Sequence, residues 1–352
     1  MAKRIVTSLL SLLLLLVCLP ISADGGETAR DLVAGIERYK GANDRQAWLD
    51  GELTDAAGKG AEWYALALIK CYPTLNYTKY EAALRKALSA GSIPSSATKL
   101  KCALVLACLG SSPDLIRETL DRAIGDRDQL MCWVFGLHLL NAGYEAENYT
   151  AQDVAGIILG KRNADGGWSV TGTVSDVDVT AMTLQALAPQ SGTTGVAEAI
   201  DGALALLSSR QLPDGGFESY GVENAESSAM VLIALACLDR DAETAGFAGG
   251  TPRLLEGLAQ FAAPSGGFCH KAGDDVNALA TAEAFFALSA YLAHEDGKTS
   301  VYLPDVDPGS FVPIYSGAHF PFLILYISVP ALTAAAVVLL VLRKKKQRTE
   351  NP

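Results

Sequence analysis

The chain has 352 residues, 50% of them hydrophobic, and its formal net charge is −11 at pH 7. Residues 24–342 hold 21 basic and 38 acidic residues, a net charge of −17, and this excludes nucleic acid as a partner because its phosphates would be repelled. The chain has only four histidines, and its cysteines show no Cys-x-x-Cys spacing, so no metal or other cofactor is predicted.

The N-terminal residues 1–23 have the three parts of a secretory signal peptide. Lys3 and Arg4 precede an apolar stretch, and the segment ends at the small residue Ala23. Cleavage after Ala23 would leave the rest of the chain outside the cytoplasm. Residues 24–300 are predicted to form this extracytoplasmic domain.

The first half of the domain alternates between amphipathic and wholly apolar helical patterns. An amphipathic helix lies at a protein surface, whereas a helix that is apolar on every side must be surrounded by protein. The amphipathic patterns predict outer helices at residues 28–40, 78–88 and 112–124. The apolar patterns predict inner helices at residues 60–71, 97–109 and 129–140.

Three Gly-Gly-aromatic turns repeat in the second half, at residues 165–168, 214–217 and 265–268. Their aromatic residues are 49 and 51 positions apart, and each turn lies between an amphipathic and an apolar pattern, so residues 151–294 hold the clearest repeats. Together with the first half, this gives six helix pairs. We expect an all-α domain closed as an (α/α)6 toroid, and the alternative is an open solenoid of helical hairpins.

The C-terminal part of the chain predicts a membrane anchor. Residues 301–318 form a linker rich in proline, and residues 319–342 give an apolar stretch long enough to cross a hydrocarbon core of ~30 Å. The tail, residues 343–352, begins with a cluster of cations that favours the cytoplasmic side. The predicted localisation is the cell membrane, with a single-pass anchor, the large domain outside and the tail inside.

The loops that carry the three turns are expected at one end of the domain, where a rigid scaffold would present them to a ligand. For the three turn aromatics, the favoured interpretation is that they fill gaps between helices. His270 has no second histidine near it in sequence, which favours an exposed polar role over that of a ligand. The candidate ligand-binding residues of this rim are Trp168, Phe217, Glu218, Tyr220, Glu226, Phe268, His270 and Asp274.

These turns and the segment 176–181, Asp-Val-Asp-Val-Thr-Ala, resemble the repeat region of prenyltransferase β-subunits, squalene and other terpene cyclases, and the α-domains of cobalamin carriers. The resemblance implies the α/α toroid that these proteins share. In the cyclases the general acid lies in such a segment, which implies Asp176 and Asp178 as catalytic residues if the chain is cyclase-like. A helix N-terminus favours the ionised carboxylate, however, so a helix-capping role for one of them is the favoured interpretation.

The zinc ligands of the prenyltransferases are missing, because their cysteine and histidine positions fall on Ser228 and Ala280. We therefore expect a non-catalytic extracytoplasmic protein that binds a small molecule or a surface partner. The first alternative is a terpene cyclase-like or prenyltransferase-like enzyme acting on isoprenoids. Further alternatives are binding of cobalamin and, as in other (α/α)6 rings, cleavage of a glycan.

Overall fold

The computed structural model describes residues 25–242, 253–298 and 301–302. The predicted signal peptide 1–23, the transmembrane helix 319–342, the tail 343–352 and all but the first two residues of the linker 301–318 lie outside the described residues. Within the described ranges, no helix is both long and apolar enough to cross a membrane.

The described part of the chain is almost entirely helical, which confirms the predicted all-α class. Its α-helices are α1 Gly25–Tyr39, α2 Arg45–Trp48, α3 Glu62–Cys71, α4 Thr78–Ser89, α5 Ser96–Cys108, α6 Pro113–Ala123, α7 Leu130–Asn141, α8 Ala151–Gly160, α9 Val177–Leu187, α10 Val196–Arg210, α11 Ala225–Cys237, α12 Leu254–Ala259 and α13 Ala278–Glu295. Short π or 3-10 turns occur at Leu49–Leu53, Asp126–Asp128 and Ala188–Gln190, and a hairpin pairs β1 Glu218–Ser219 with β2 Val222–Glu223. The sequence pattern predicts neither α2 nor the hairpin.

The helices fall into two sets that follow the predicted alternation of patterns. The buried helices are α3, α5, α7, α9, α11 and α13, and nearly every side chain of α11, for example, is buried. The surface helices are α1, α4, α6, α8, α10 and α12, and α6 buries only one stripe, at Ile116, Thr119, Leu120 and Ala123. The spacing of that stripe is the helical period that places apolar residues on one face.

The buried helices contact one another in a cycle. Each contacts the next buried helix along the chain, and the last, α13, contacts the first, α3. The surface helices follow the same order, since α6, α8, α10 and α12 each pack against the buried helix that precedes them, and α1 packs against α13. The first and last helix pairs are therefore neighbours in space.

Each Gly-Gly turn approaches a glycine of another surface helix. The close approach needs residues without a side chain, because a Cβ added at Gly257 would overlap the backbone of the turn at Gly215. The facing pairs are Gly166 with Gly202, Gly215 with Gly257, and Gly266 with Gly35. The third pair joins the last turn to α1. The last repeat therefore makes with the first surface helix the same contact that neighbouring repeats make with each other.

Tyr302 fills the space at the C-terminal ends of the buried helices. Its hydroxyl donates to Gln185 Oε1 at 2.5 Å, and its ring lies 4.2 Å from the ring of His138, centroid to centroid. The Cys108 thiol donates a hydrogen bond to the carbonyl oxygen of Tyr302. Val301 and Tyr302, the first two residues of the predicted linker, are thus buried against the domain, and the Gly-Gly turns lie towards the opposite, N-terminal ends of these helices.

The six cysteines of the described residues are all free thiols, at positions 71, 102, 108, 132, 237 and 269. Burial raises the pKa of the Cys108 thiol to about 12, with Lys70 opposing the shift. A thiol that stays protonated at neutral pH is a poor nucleophile. Cys108 therefore serves as a core residue.

Candidate functional site

Each Gly-Gly-aromatic turn is tied to the buried helix that follows it by the same hydrogen bond. The backbone N–H of the aromatic residue donates to a hydroxyl in the first turn of that helix, which fixes the loop on the helix. The pairs are Trp168 N with Thr180 Oγ1 at 3.0 Å, Phe217 N with Ser228 Oγ at 3.1 Å, and Phe268 N with Thr281 Oγ1 at 3.0 Å. The Ser228 hydroxyl therefore holds the second turn.

The three turn aromatics are fully buried. Trp168 also donates its indole N–H to the Ile158 carbonyl at 2.8 Å, inside the domain. The rings of Trp168, Phe217 and Phe268 are therefore not exposed to a ligand at the rim, and they fill the gaps between helices instead. Their inclusion among the rim candidates is corrected by this burial.

The residues that cap the same helices also repeat. Asp176 Oδ1 accepts from the Val179 N–H at 3.0 Å, and its second oxygen accepts from the Ser219 hydroxyl. Asn224 and Asn277 cap α11 and α13 in the same way. Asp176 is thus the N-cap of α9, and this satisfies N–H groups that the helix itself leaves unpaired.

The position two residues after each N-cap brings the candidate residues together. It holds Asp178 in α9, Glu226 in α11 and Leu279 in α13, and these three helices contact one another in succession. In α3 the same position holds Trp63. Two of the predicted candidates, Asp178 and Glu226, therefore lie at equivalent places on adjacent helices.

A third carboxyl group, Glu283, lies one helical turn further along α13 and is not among the residues predicted from the sequence. Burial raises the pKa of Glu283 to about 8, Asp178 and Glu226 add to the increase, and Lys101 opposes it. Lys101 lies in α5, and its Nζ is 4.4 Å from the centroid of the Trp63 ring. We call Asp178, Glu226 and Glu283 the acidic cluster.

Asp178 has one carboxylate oxygen that is buried without a well-formed hydrogen bond in the described residues. Burial raises its pKa to about 6, the Ser227 hydroxyl opposes this increase, and the charges of Asp176 and Glu226 add to it. Asp178 Oδ1 and Ser227 Oγ are both buried, and neither makes a well-formed hydrogen bond within the described residues. The helix N-terminus favours the ionised form of Asp178, but desolvation has the larger effect on its pKa.

The remaining rim candidates lie on the loops around the acidic cluster. His270 Nδ1 is 2.9 Å from Glu226 Oε2, and the His270 carbonyl accepts from the Ala225 N–H at 3.1 Å, so the third loop lies against the start of α11. Glu218 and Tyr220 are exposed on the hairpin, and Asp274 is exposed on the third loop. His270 thus has a carboxylate partner that its sequence neighbourhood does not reveal.

One signal in the sequence could have identified Glu283. It is the one charged residue among residues 278–293, a stretch that is otherwise apolar or uncharged. An acidic side chain in a buried helix has to face either a partner or a water-filled space. For Lys101 the one signal in the sequence is its position six residues after the N-cap of α5. Glu283 has the same position in α13.

Among the described residues, no group of His, Cys, Asp and Glu is arranged to hold a metal ion. The arrangement can instead bind a positively charged group or donate a proton, because two of its carboxyls are poorly solvated. The resemblance to prenyltransferases, cyclases and cobalamin carriers rests on the turns and on the segment 176–181 alone. Compared with models of known families and with curated proteins, the chain gives no match.

Proposed function

We propose that this protein is a membrane-anchored, extracytoplasmic (α/α)6 toroid that binds a positively charged ligand at its acidic cluster. The closed cycle of contacts among α3, α5, α7, α9, α11 and α13 supports the toroid over an open solenoid. The predicted signal peptide and the apolar stretch 319–342 support the location.

The observation that carries the proposed binding is the convergence of three carboxyl groups on adjacent helices. The charge of Glu226 raises the pKa of Asp178, and the charges of Asp178 and Glu226 raise the pKa of Glu283. His270 opposes the first increase and Lys101 opposes the second. A bound ammonium or guanidinium group would donate charge-assisted hydrogen bonds to these carboxylates, and Asp178 Oδ1 makes no well-formed hydrogen bond within the described residues. An organic cation is favoured over a metal ion because the carboxyls of the described residues are not arranged as a metal site.

Spermidine is a suitable probe of this proposal, and calorimetry on the full-length protein at about pH 8 measures its binding. We expect Glu226→Gln to weaken spermidine binding at least ~10-fold, because losing one charged hydrogen-bond partner costs about 1.5–3 kcal/mol. Glu198→Gln, exposed on the surface helix α10 and outside the loops of the rim, is the matched control and should bind as wild type does.

The pH dependence of spermidine binding gives a second measurement on the same protein. Affinity should increase between about pH 5 and pH 8 as Asp178 and then Glu283 lose their protons, since each ionisation adds an attractive charge. An affinity that is unchanged by pH and by Glu226→Gln would contradict the proposed site.

Acid catalysis is the second candidate function, and the elevated pKa values of the acidic cluster favour it. With pKa values of about 6 and about 8, Asp178 and Glu283 retain protons to higher pH than ordinary carboxylic acids. A cyclase-like enzyme needs such an acid, whereas Asp176 is occupied as a helix cap.

Incubation of the protein with squalene or a prenyl diphosphate, followed by mass spectrometry, separates the two functions. The binding proposal predicts no product from wild type. Product that appears with wild type and is lost in both Asp178→Asn and Glu283→Gln would replace it with the enzymatic alternative.

A further inference from the structure

The end of the domain that carries the acidic cluster also exposes apolar side chains. In the described residues, the large hydrophobic side chains that are exposed are those of Tyr39, Val170, Val174, Tyr220 and Leu279, and Tyr220 is 83% exposed. Val170 and Val174 lie on the first Gly-Gly loop, Tyr220 on the hairpin and Leu279 at the start of α13. Exposed apolar groups that gather in one region mark an interaction surface more often than scattered ones do.

These side chains lie on segments that are joined to one another. Ser219 of the hairpin donates to Asp176 at the base of the first loop. Leu279 occupies in α13 the position that Glu226 occupies in the neighbouring α11. Tyr39 lies beside the third turn, since a Cβ added at Gly267 would meet its ring at 3.1 Å. The apolar groups therefore lie at the same end of the domain as the acidic cluster.

The backbone holds Tyr220 in an exposed position at a conformational cost. Tyr220 and Gly221 form the two-residue turn of the hairpin with φ values of 53° and 76°. Positive φ at both residues is what a type I′ turn requires, and asparagine or glycine adopts it with less strain than tyrosine does. Strain of this kind recurs at functional sites, which fits a tyrosine whose exposed ring contacts a partner.

We infer that the acidic cluster and the apolar groups around it together bind a basic segment of another protein. This inference rests on the proposed function and extends it from a positively charged ligand to a peptide with lysine or arginine between apolar residues. Ser227 Oγ, fully buried and without a well-formed hydrogen bond beside Asp178, is a polar group that such a ligand could satisfy.

The negative charge of the surface favours a basic peptide over an anionic membrane and over a second copy of this chain. Glu218, Asp274 and Asp275 are exposed on the same loops, and residues 24–342 have a net charge of −17. That charge repels an anionic membrane and also a second copy of this chain, whereas it attracts a basic segment. A free polyamine would leave the apolar side chains uncovered, and a peptide would bury them.

Two fluorescent peptides test the inference on the full-length protein, one alternating leucine with lysine and one in which serine replaces each leucine. The double variant Val174→Ser with Tyr220→Ser should weaken binding of the leucine–lysine peptide at least ~10-fold and leave spermidine and the serine–lysine peptide unchanged. Ala82→Ser, an exposed position on α4, is the control and should change none of the three affinities.

The outcomes separate this inference from the proposed function. If the double variant binds the leucine–lysine peptide like wild type while Glu226→Gln weakens spermidine, the inference fails and the proposed function stands. If Glu226→Gln weakens neither ligand, the proposed function fails and the inference fails with it. Binding of wild type to anionic lipid vesicles that the double variant loses, with no binding of the leucine–lysine peptide, would assign the surface to a membrane and overturn the inference.

Discussion

Replacing Gly266 by alanine is expected to destabilise the protein by about 3 kcal/mol or more. Two costs add at this position. The backbone has φ +101°, a conformation that residues with a side chain rarely adopt. A Cβ at this position would also overlap the backbone of Gly35 in α1. Backbone cannot rotate away as a side chain can, so the turn and α1 must separate. The contact between the last turn and the first surface helix would be lost.

Denaturant unfolding of the purified protein measures this loss, with two matched glycine variants. Gly273 has φ +84° and open space around it, so Gly273→Ala should cost only the backbone strain, about 1 kcal/mol. Gly156 is exposed in α8 with open space and no positive φ, so Gly156→Ala should stabilise by up to about 1 kcal/mol. A Gly266→Ala variant no less stable than Gly273→Ala would mean that the contact with Gly35 contributes nothing.

The glycines also indicate how far the sequence can predict this fold. The turn glycines are visible as a repeated Gly-Gly-aromatic pattern, and the alternation of apolar and amphipathic helices predicts the order of buried and surface helices. Gly35 and Gly257 are different, because a single glycine within a helix has the same local appearance whether it is in contact or in open space. Their role depends on a turn in another repeat, and one sequence does not show which turn that is.

The candidate site was predictable to a similar extent. Asp178 and Glu226 could be identified from the sequence because they lie in the first turns of predicted buried helices. His270 could be identified because it lies on a Gly-Gly loop. Lys101 comes from the half of the domain that lacks Gly-Gly turns, so its place beside Trp63 follows only from the packing of α5 on α3. The elevated pKa of Asp178 was not predictable either, since helix position favours ionisation and the burial that opposes it is a property of the folded domain.

Glu283→Gln is expected to stabilise the protein at about pH 8, by on the order of 2 kcal/mol, and to change its stability little at about pH 4. The pKa of Glu283 is about 8 in the folded protein and 4.5 for an ordinary glutamate, so the folded state retains the proton between these values. Stability therefore falls as pH rises through this range, because the unfolded state gains from ionising Glu283 while burial beside Asp178 and Glu226 keeps Glu283 protonated in the folded state. Glutamine has a similar shape and no charge to desolvate, so the variant avoids this cost.

Denaturant unfolding of wild type and Glu283→Gln across this pH range checks the prediction, with Glu218→Gln as the exposed control. We expect the wild-type stability to fall with pH more steeply than that of Glu283→Gln, and Glu218→Gln to follow wild type. A Glu283→Gln variant that is destabilised equally at both ends of the range would instead identify Glu283 as a structural hydrogen-bonding residue. The same variant should also bind spermidine more weakly at about pH 8, where wild-type Glu283 is partly ionised. A substitution that strengthens the fold and weakens binding would identify Glu283 as a residue whose charge serves the ligand, because the folded domain is more stable without it.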